Sequence, residues 1–221
     1  MKPRERVGSA KTPDGTELEL FEHDGHHEIV AAKRALMSSR QHNSEEELAR
    51  HVCEDLEPGA LVLIGGLGLG YTLRTALDLL PEGGRAIQVE LLDAVVEWNL
   101  GPAGAHAGDP LGDPRTKLIR GDVTKVLQRY GGALSALMLD IDNGPAPMVD
   151  RQNRALYGRA GIRMIRDALR PGGRVAFWCS NEEPEFAATL GRGGFEVSRH
   201  RSYARPRRKG TRHEIIVGKR V

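Results

Sequence analysis

At 221 residues, with 32 basic and 30 acidic side chains and a formal charge of +2, the chain is long enough for one domain with a small appendage and too evenly charged to demand a nucleic-acid or membrane partner. Its longest apolar runs are about five or six residues, far short of the roughly 20 needed to span a membrane as a helix. The start, Met1-Lys2-Pro3-Arg4-Glu5-Arg6, is basic without an apolar core behind it, which argues against a secretory signal, and the two cysteines, Cys53 and Cys179, fall in segments that read as packed, which fits a reducing cytoplasm.

Residues 1–15 are polar and read as a loose segment. From 16 to 38 the pattern is strand-like: Leu18 and Leu20 alternate with Glu17 and Glu19, Ile29-Val30-Ala31 follows, and the intervening Asp24-Gly25 is a strong hairpin signal. Ser44-Glu45-Glu46-Glu47 has a capping-box pattern and opens a helix, with Leu48, Val52 and Leu56 at a spacing of four. Pro58-Gly59 ends it. Thereafter strand and helix alternate. Strands are predicted over 60–64, 86–89, 116–119, 134–139 and 174–179, and helices over 72–80, 92–99, 123–129, 156–169 and 184–190. Such alternation predicts a mostly parallel sheet with helices on both faces. Two final apolar runs, 195–198 and 215–217, are separated by a basic, polar stretch read as a loop, so they are expected to pair antiparallel.

The first strand runs into Gly65-Gly66-Leu67-Gly68-Leu69-Gly70 and then at once into a helix. Glycines let such a turn approach a ligand closely, and this strand–turn–helix unit is where open α/β sheets bind nucleosides. Glu90 ends the next strand, where a carboxylate can accept both ribose hydroxyl protons. These features fit NAD or S-adenosylmethionine (SAM). Spacing separates them: a dinucleotide fingerprint is G-x-G-x-x-G/A, whereas Gly66, Gly68 and Gly70 read G-x-G-x-G, with bulky Tyr71 at the third small position. That favours SAM.

Ligands in these sheets lie beyond the carboxyl ends of the strands, and Asp122, Asp140 and Asp142 are placed there with Glu90. Asp122 could accept from an adenine amino group, or cap the helix behind it, or both. Asp140 closes a strongly apolar strand, where partial desolvation would raise its pKa and suit it to accept a proton. Asp142 is a second catalytic candidate, against an ordinary Asn143-Gly144 turn.

In order and spacing, the N-terminal β unit, the entry helix, the glycine turn, Val89-Glu90, Gly121-Asp122, the Asp140 segment, Leu156-Tyr157 and Leu169-Arg170-Pro171-Gly172-Gly173 resemble the spermidine synthase family (polyamine aminopropyltransferases) within the class I SAM-dependent methyltransferase superfamily. The resemblance implies a Rossmann-like α/β fold, with a mostly parallel seven-stranded sheet ending in an antiparallel strand. It divides the chain into a loose segment over 1–15, a hairpin unit with entry helix over 16–57, and a SAM-binding catalytic domain over 58–221. It also implies a cytoplasmic enzyme, a small-molecule acceptor and a homodimer. Cofactor contacts fall to Gly66, Gly68, Gly70, Glu90, Asp122 and Asp140, and catalysis to Asp140 and Asp142, with no metal.

The departures from the family shift the expected reaction. Leu69 is matched to a family Asp beside the aminopropyl amine. Its loss removes an attraction for that ammonium and a repulsion of roughly 1–4 kcal/mol against the carboxylate of intact SAM. Glu45 stands at an acceptor-side Tyr, Leu36 at a Gln, and Asp140-Ile141-Asp142-Asn143 replaces an Asp-x-x-Asp pair. The expectation is therefore methyl transfer from SAM to a small, cationic amine. The alternatives are aminopropyl transfer from decarboxylated SAM, and a non-catalytic adenosyl-ligand domain.

Four features are read as structural. Glu45 is taken as first-turn helix charge, and His23, His26 and His27 as a solvated turn. Trp98 and Trp178 are taken as packing residues. The basic run over 199–212 is taken as a solvated or lid-like loop, with nucleic acid not expected as a partner. The Gly/Pro-rich connector over 101–114 has no assigned chemistry.

Overall fold

The computed structural model describes residues 3–141 and 155–221. Four antiparallel strands, β1 (Glu5–Lys11), β2 (Glu17–His23), β3 (His26–Ala31) and β4 (Arg34–Ser38), form an N-terminal sheet in sequential order. β1 is a correction to the expected loose segment. None of its residues is buried and five of the seven are exposed, so it has no apolar alternation to read, and pairing with β2 from Glu5↔Glu22 to Lys11↔Glu17 holds it in place. The β2–β3 turn puts Asp24 and Gly25 at φ 50° and 74°, the left-handed pair that a tight hairpin requires.

Helix α1 (Asn43–Cys53) follows. No capping box forms at its start; Ser44 Oγ instead donates to the Glu45 carboxylate at 2.5 Å. The main sheet comprises β5 (Leu61–Gly65), β6 (Arg85–Glu90), β7 (Thr116–Arg120), β8 (Leu134–Leu139), β9 (Leu169–Cys179), β10 (Phe195–Arg205) and β11 (Lys209–Arg220), in the order β10-β11-β9-β8-β5-β6-β7. β5 to β9 run parallel; β11 is antiparallel to β9, and β10 to β11. The helices α2 (Tyr71–Leu79), α3 (Asp93–Leu100), α4 (Val123–Leu127), α5 (Arg159–Ala168) and α6 (Pro184–Arg192) connect them.

Period-two alternation sends strand side chains to two different cores. Val62, Ile64, Ala136 and Met138 face a core with α1, α2 and α3, while Leu63, Leu137 and Leu139 face one with α4, α5 and α6. The first core also takes in Leu18, Leu20 and Ile29, so the N-terminal sheet packs directly on the main body. The sheet order reverses between β5 and β8, the switch point at which crevices form in open α/β sheets.

Two details differ from expectation. Pro171-Gly172-Gly173, read as a helix-to-strand turn, lies inside β9, absorbed by a register shift opposite Leu134 and Ala136. The basic run is not a loop. β10 and β11 continue as a two-stranded ribbon to Arg205↔Lys209, past the last β9 pair at Glu214↔Cys179. The ribbon rests on α1, where Asn43 Nδ2 donates to Tyr203 O at 2.9 Å and Ser202 Oγ donates to the Glu47 carboxylate.

Candidate functional site

The turn after β5 is built around backbone that tolerates no side chain. Gly66 has φ 87°, and a Cβ there would lie 2.1 Å from the Asp140 carbonyl oxygen; Asp140 N–H donates to Gly65 O at 2.9 Å. The β5 and β8 ends are thereby drawn together. Gly66 N–H donates to Val89 O at 2.9 Å, tying the turn to the end of β6 as well. There the buried Glu90 receives Leu67 N–H on Oε2 and Leu92 N–H on Oε1, both at 2.8 Å. Burial raises its pKa and these backbone donors oppose the rise. Each carboxylate oxygen keeps a lone pair, so two vicinal hydroxyls can still be bound.

Gly66 and Gly68 line the cleft that opens here; Gly70 does not. Gly70, at φ 85°, caps α2 and is covered by Asn99, Pro110 and Ala107. Leu69 is also turned inward, fully buried in the first core and absent from the cleft wall. Its side chain therefore points into the core, where the match to a family Asp would have placed a group facing the cleft. Above Gly68 sits Met37, whose sulfur accepts Leu69 N–H at 3.0 Å and would be 2.3 Å from a Cβ at Gly68.

Across the cleft, Asp140 and Glu45 stand together. Thr72 Oγ1, on the first turn of α2, donates to Asp140 Oδ2 at 2.9 Å and lies 3.4 Å from Glu45 O. Burial raises the pKa of both carboxyls; the charge of Asp140 raises Glu45 further, while the Ser44 and Thr72 hydroxyls work in the opposite sense. Two acids in one poorly solvated place retain a proton between them at neutral pH. Glu45 lies in the first turn of α1 as read, but it is buried and lines the cleft, which corrects its reading as helix charge alone. Asp122 lines the cleft while its carboxylate also caps α4, accepting Thr124 N–H at 2.8 Å and Thr124 Oγ1 at 2.6 Å. Asp142 lies outside the described residues.

The remaining wall is apolar. Leu18, Ile29 and Leu36 come from the N-terminal sheet, Val95 from α3 and Trp178 from the end of β9. Trp178 is therefore a wall residue as well as a packing one, backed by His213 at 4.6 Å between ring centroids. Elsewhere, His27 is buried rather than solvated; its Nδ1 is 2.8 Å from Nε2 of His106 in the 101–114 connector, and burial lowers the pKa of both rings. Among the described residues no group of three or more His, Cys, Asp or Glu is placed to hold a metal, and no helix is long and apolar enough to cross a membrane.

No protein-family model matches the chain, and no curated protein does. Solved structures do. A crystal structure of spermidine synthase in complex with the transition state analogue AdoDATO superposes with a TM-score of 0.75 at 17% identity, covering 98% of this chain and 74% of that one. The crystal structure of spermidine synthase from Thermotoga maritima gives 0.73 at 17% identity, with 98% and 73% covered. The chain has the spermidine synthase fold. That likeness takes in both sheets, the four-stranded N-terminal one and the mostly parallel seven-stranded one.

Proposed function

We propose that the chain is a transferase that moves an aminopropyl group from decarboxylated SAM to a small amine. One observation carries the reading: among the described residues, every charged side chain lining the cleft is acidic, namely Glu45, Glu90, Asp122 and Asp140. Decarboxylated SAM ends in an ammonium, which those groups attract. Intact SAM adds a carboxylate, for which no described wall residue offers a cation. The expectation of methyl transfer rested in part on Leu69, whose side chain is buried and does not line the cleft. The likeness to a spermidine synthase solved with AdoDATO favours the same donor.

The residues fit such a donor. The Gly66–Gly68 backbone leaves room for a nucleoside, Glu90 can take its ribose hydroxyls, and Asp122 faces the adenine end. The sulfonium supplies an electrophilic carbon on the chain to be transferred. Asp140, with Oδ2 held by Thr72, keeps Oδ1 for the incoming amine. The amine nitrogen forms a bond to that carbon as the carbon–sulfur bond breaks, its electron pair remaining on sulfur as a thioether. The proton released from nitrogen goes to the Asp140–Glu45 pair. Desolvation keeps the pair basic enough for this work, and the apolar wall excludes water.

Calorimetry with the two donors tests the proposal. Decarboxylated SAM is expected to bind at least about fivefold more tightly than SAM, matching roughly 1–4 kcal/mol of repulsion between the SAM carboxylate and the wall acids. Equal or tighter binding of SAM would overturn the aminopropyl reading in favour of methyl transfer.

A further inference from the structure

We infer that the β10–β11 ribbon is a docking surface for single-stranded nucleic acid; this stands apart from the transfer reading. Between Arg199 and Arg212 the chain has six arginines, one lysine and no acid. The observed register gives these charges a face. Ser202 and Ala204 are buried on the side that rests on α1, so strand alternation puts Arg201, Tyr203 and Arg205 together on the opposite face. Arg212 stands directly across from Tyr203 and Lys209 across from Arg205, which places both on that face too. The half-buried Tyr203 is thus bracketed by four cations, its neighbours along the strand about 7 Å away, close to the repeat of an extended nucleotide chain. Guanidinium forks grip phosphate oxygens in pairs, and a phenol ring offers a base a flat face to stack on. Stacking needs an unpaired base, so a single strand fits this face better than a duplex.

The charge is not cancelled within the protein. Among the described residues Glu182 and Glu214 pair with Arg199, Arg201 and Arg212, while Arg205, Arg207, Arg208 and Lys209 have no carboxylate partner. Residues 142–154 hold two acids and two arginines, so they bring no net charge to set against the ribbon. The tip supplies an independent observation. Arg207 and Arg208 both sit at φ 58°, left-handed backbone that glycine takes freely and arginine only at a cost. A turn built only to close the ribbon calls for Gly or Asn there; cations held against local strain mark a place that meets a partner. The ribbon also has a fixed position. β11 runs antiparallel to β9 and outruns it past Glu214↔Cys179, at the carboxyl edge of the sheet, where Trp178 and Asp140 line the cleft. A strand held on the ribbon lies on the cleft's side of the sheet.

Fluorescence anisotropy with the full chain and a labelled twelve-nucleotide oligothymidylate tests the inference. Binding is expected to weaken with salt at a log–log slope of about −3, four or five phosphates each contributing about −0.7. Arg205→Gln, Arg207→Gln, Arg208→Gln and Lys209→Gln combined are expected to lower affinity at least about thirtyfold and bring the slope to about −1. That variant should keep its thermal midpoint within about 3 °C and its affinity for methylthioadenosine, the thioether left by the proposed transfer, within about threefold. Tyr203→Leu is expected to cost about tenfold with the slope unchanged, which general charge attraction would not give. An oligouridylate is expected to bind as the oligothymidylate does, and a duplex of the same length at least about fivefold more weakly. The inference is overturned by no saturable binding at about 100 mM salt, by equal affinity for the duplex or for an oligoglutamate of the same charge, or by a Tyr203→Leu affinity equal to the original. Failure of the original chain to bind methylthioadenosine counts against the donor reading alone.

Discussion

Glu90 and Asp122, just after β6 and β7, receive backbone N–H groups; Glu45 and Asp140, on α1 and just after β8, rest chiefly on the Ser44 and Thr72 hydroxyls. The first pair is fixed by the same turns that make the fold, so its geometry comes with the sheet. The second pair is left under-compensated, which costs stability and leaves a group ready to take a proton. The two pairs of acids in one cleft thus differ by what the main chain does beside each of them.

The sharpest way to break this comparison is Asp140→Asn. Transfer is expected to fall by about 10²–10⁴-fold, with methylthioadenosine affinity within threefold of the original; single-turnover kinetics and calorimetry on the same sample read both. An unchanged rate would remove Asp140 from the transfer step, and no turnover by the original chain would support the non-catalytic reading. Glu90→Gln is expected to act on binding instead. The amide turns one oxygen into a donor that faces Leu67 or Leu92 N–H, so nucleoside affinity is lost and thermal denaturation shows a destabilisation of about 1–3 kcal/mol. The smallest effect belongs to Glu45→Gln and has a definite sign. Because the folded chain holds the Glu45 proton more tightly than the unfolded chain, stability falls as pH rises from the ordinary carboxyl range to about 8, where burial and Asp140 place this group. The Gln variant lacks that slope. It should match the original near pH 4 and exceed it by on the order of 1 kcal/mol at pH 8, as measured by urea denaturation across that range.

What the sequence discloses follows how strongly burial marks each segment. β8 is buried at all six positions and its bounds are read without error; β5 and β6 differ from expectation by one residue at each end. β1 escapes because an exposed strand has no apolar period. The β10–β11 ribbon escapes because its charges mask the alternation, with Ser202 and Ala204 buried between exposed Arg201 and Arg205. Glu45 was legible in principle. It precedes Leu48 and Val52 by three and seven residues, on the stripe that faces inward, and a carboxylate on an apolar stripe signals a site. Leu69 shows the reverse error: matching a position to a family residue says nothing about which way the turn points its side chain. Met37 and Trp178 carried no local signal, since their place in the cleft depends on how the N-terminal sheet and β9 come together.

Met37 has a consequence of its own. A half-buried thioether placed over the ligand turn, and held by a backbone N–H, is open to peroxide. Conversion to the sulfoxide would add an oxygen in a space where even a single carbon on Gly68 does not fit. The cleft therefore has an oxidisable group built into its wall at the turn after β5.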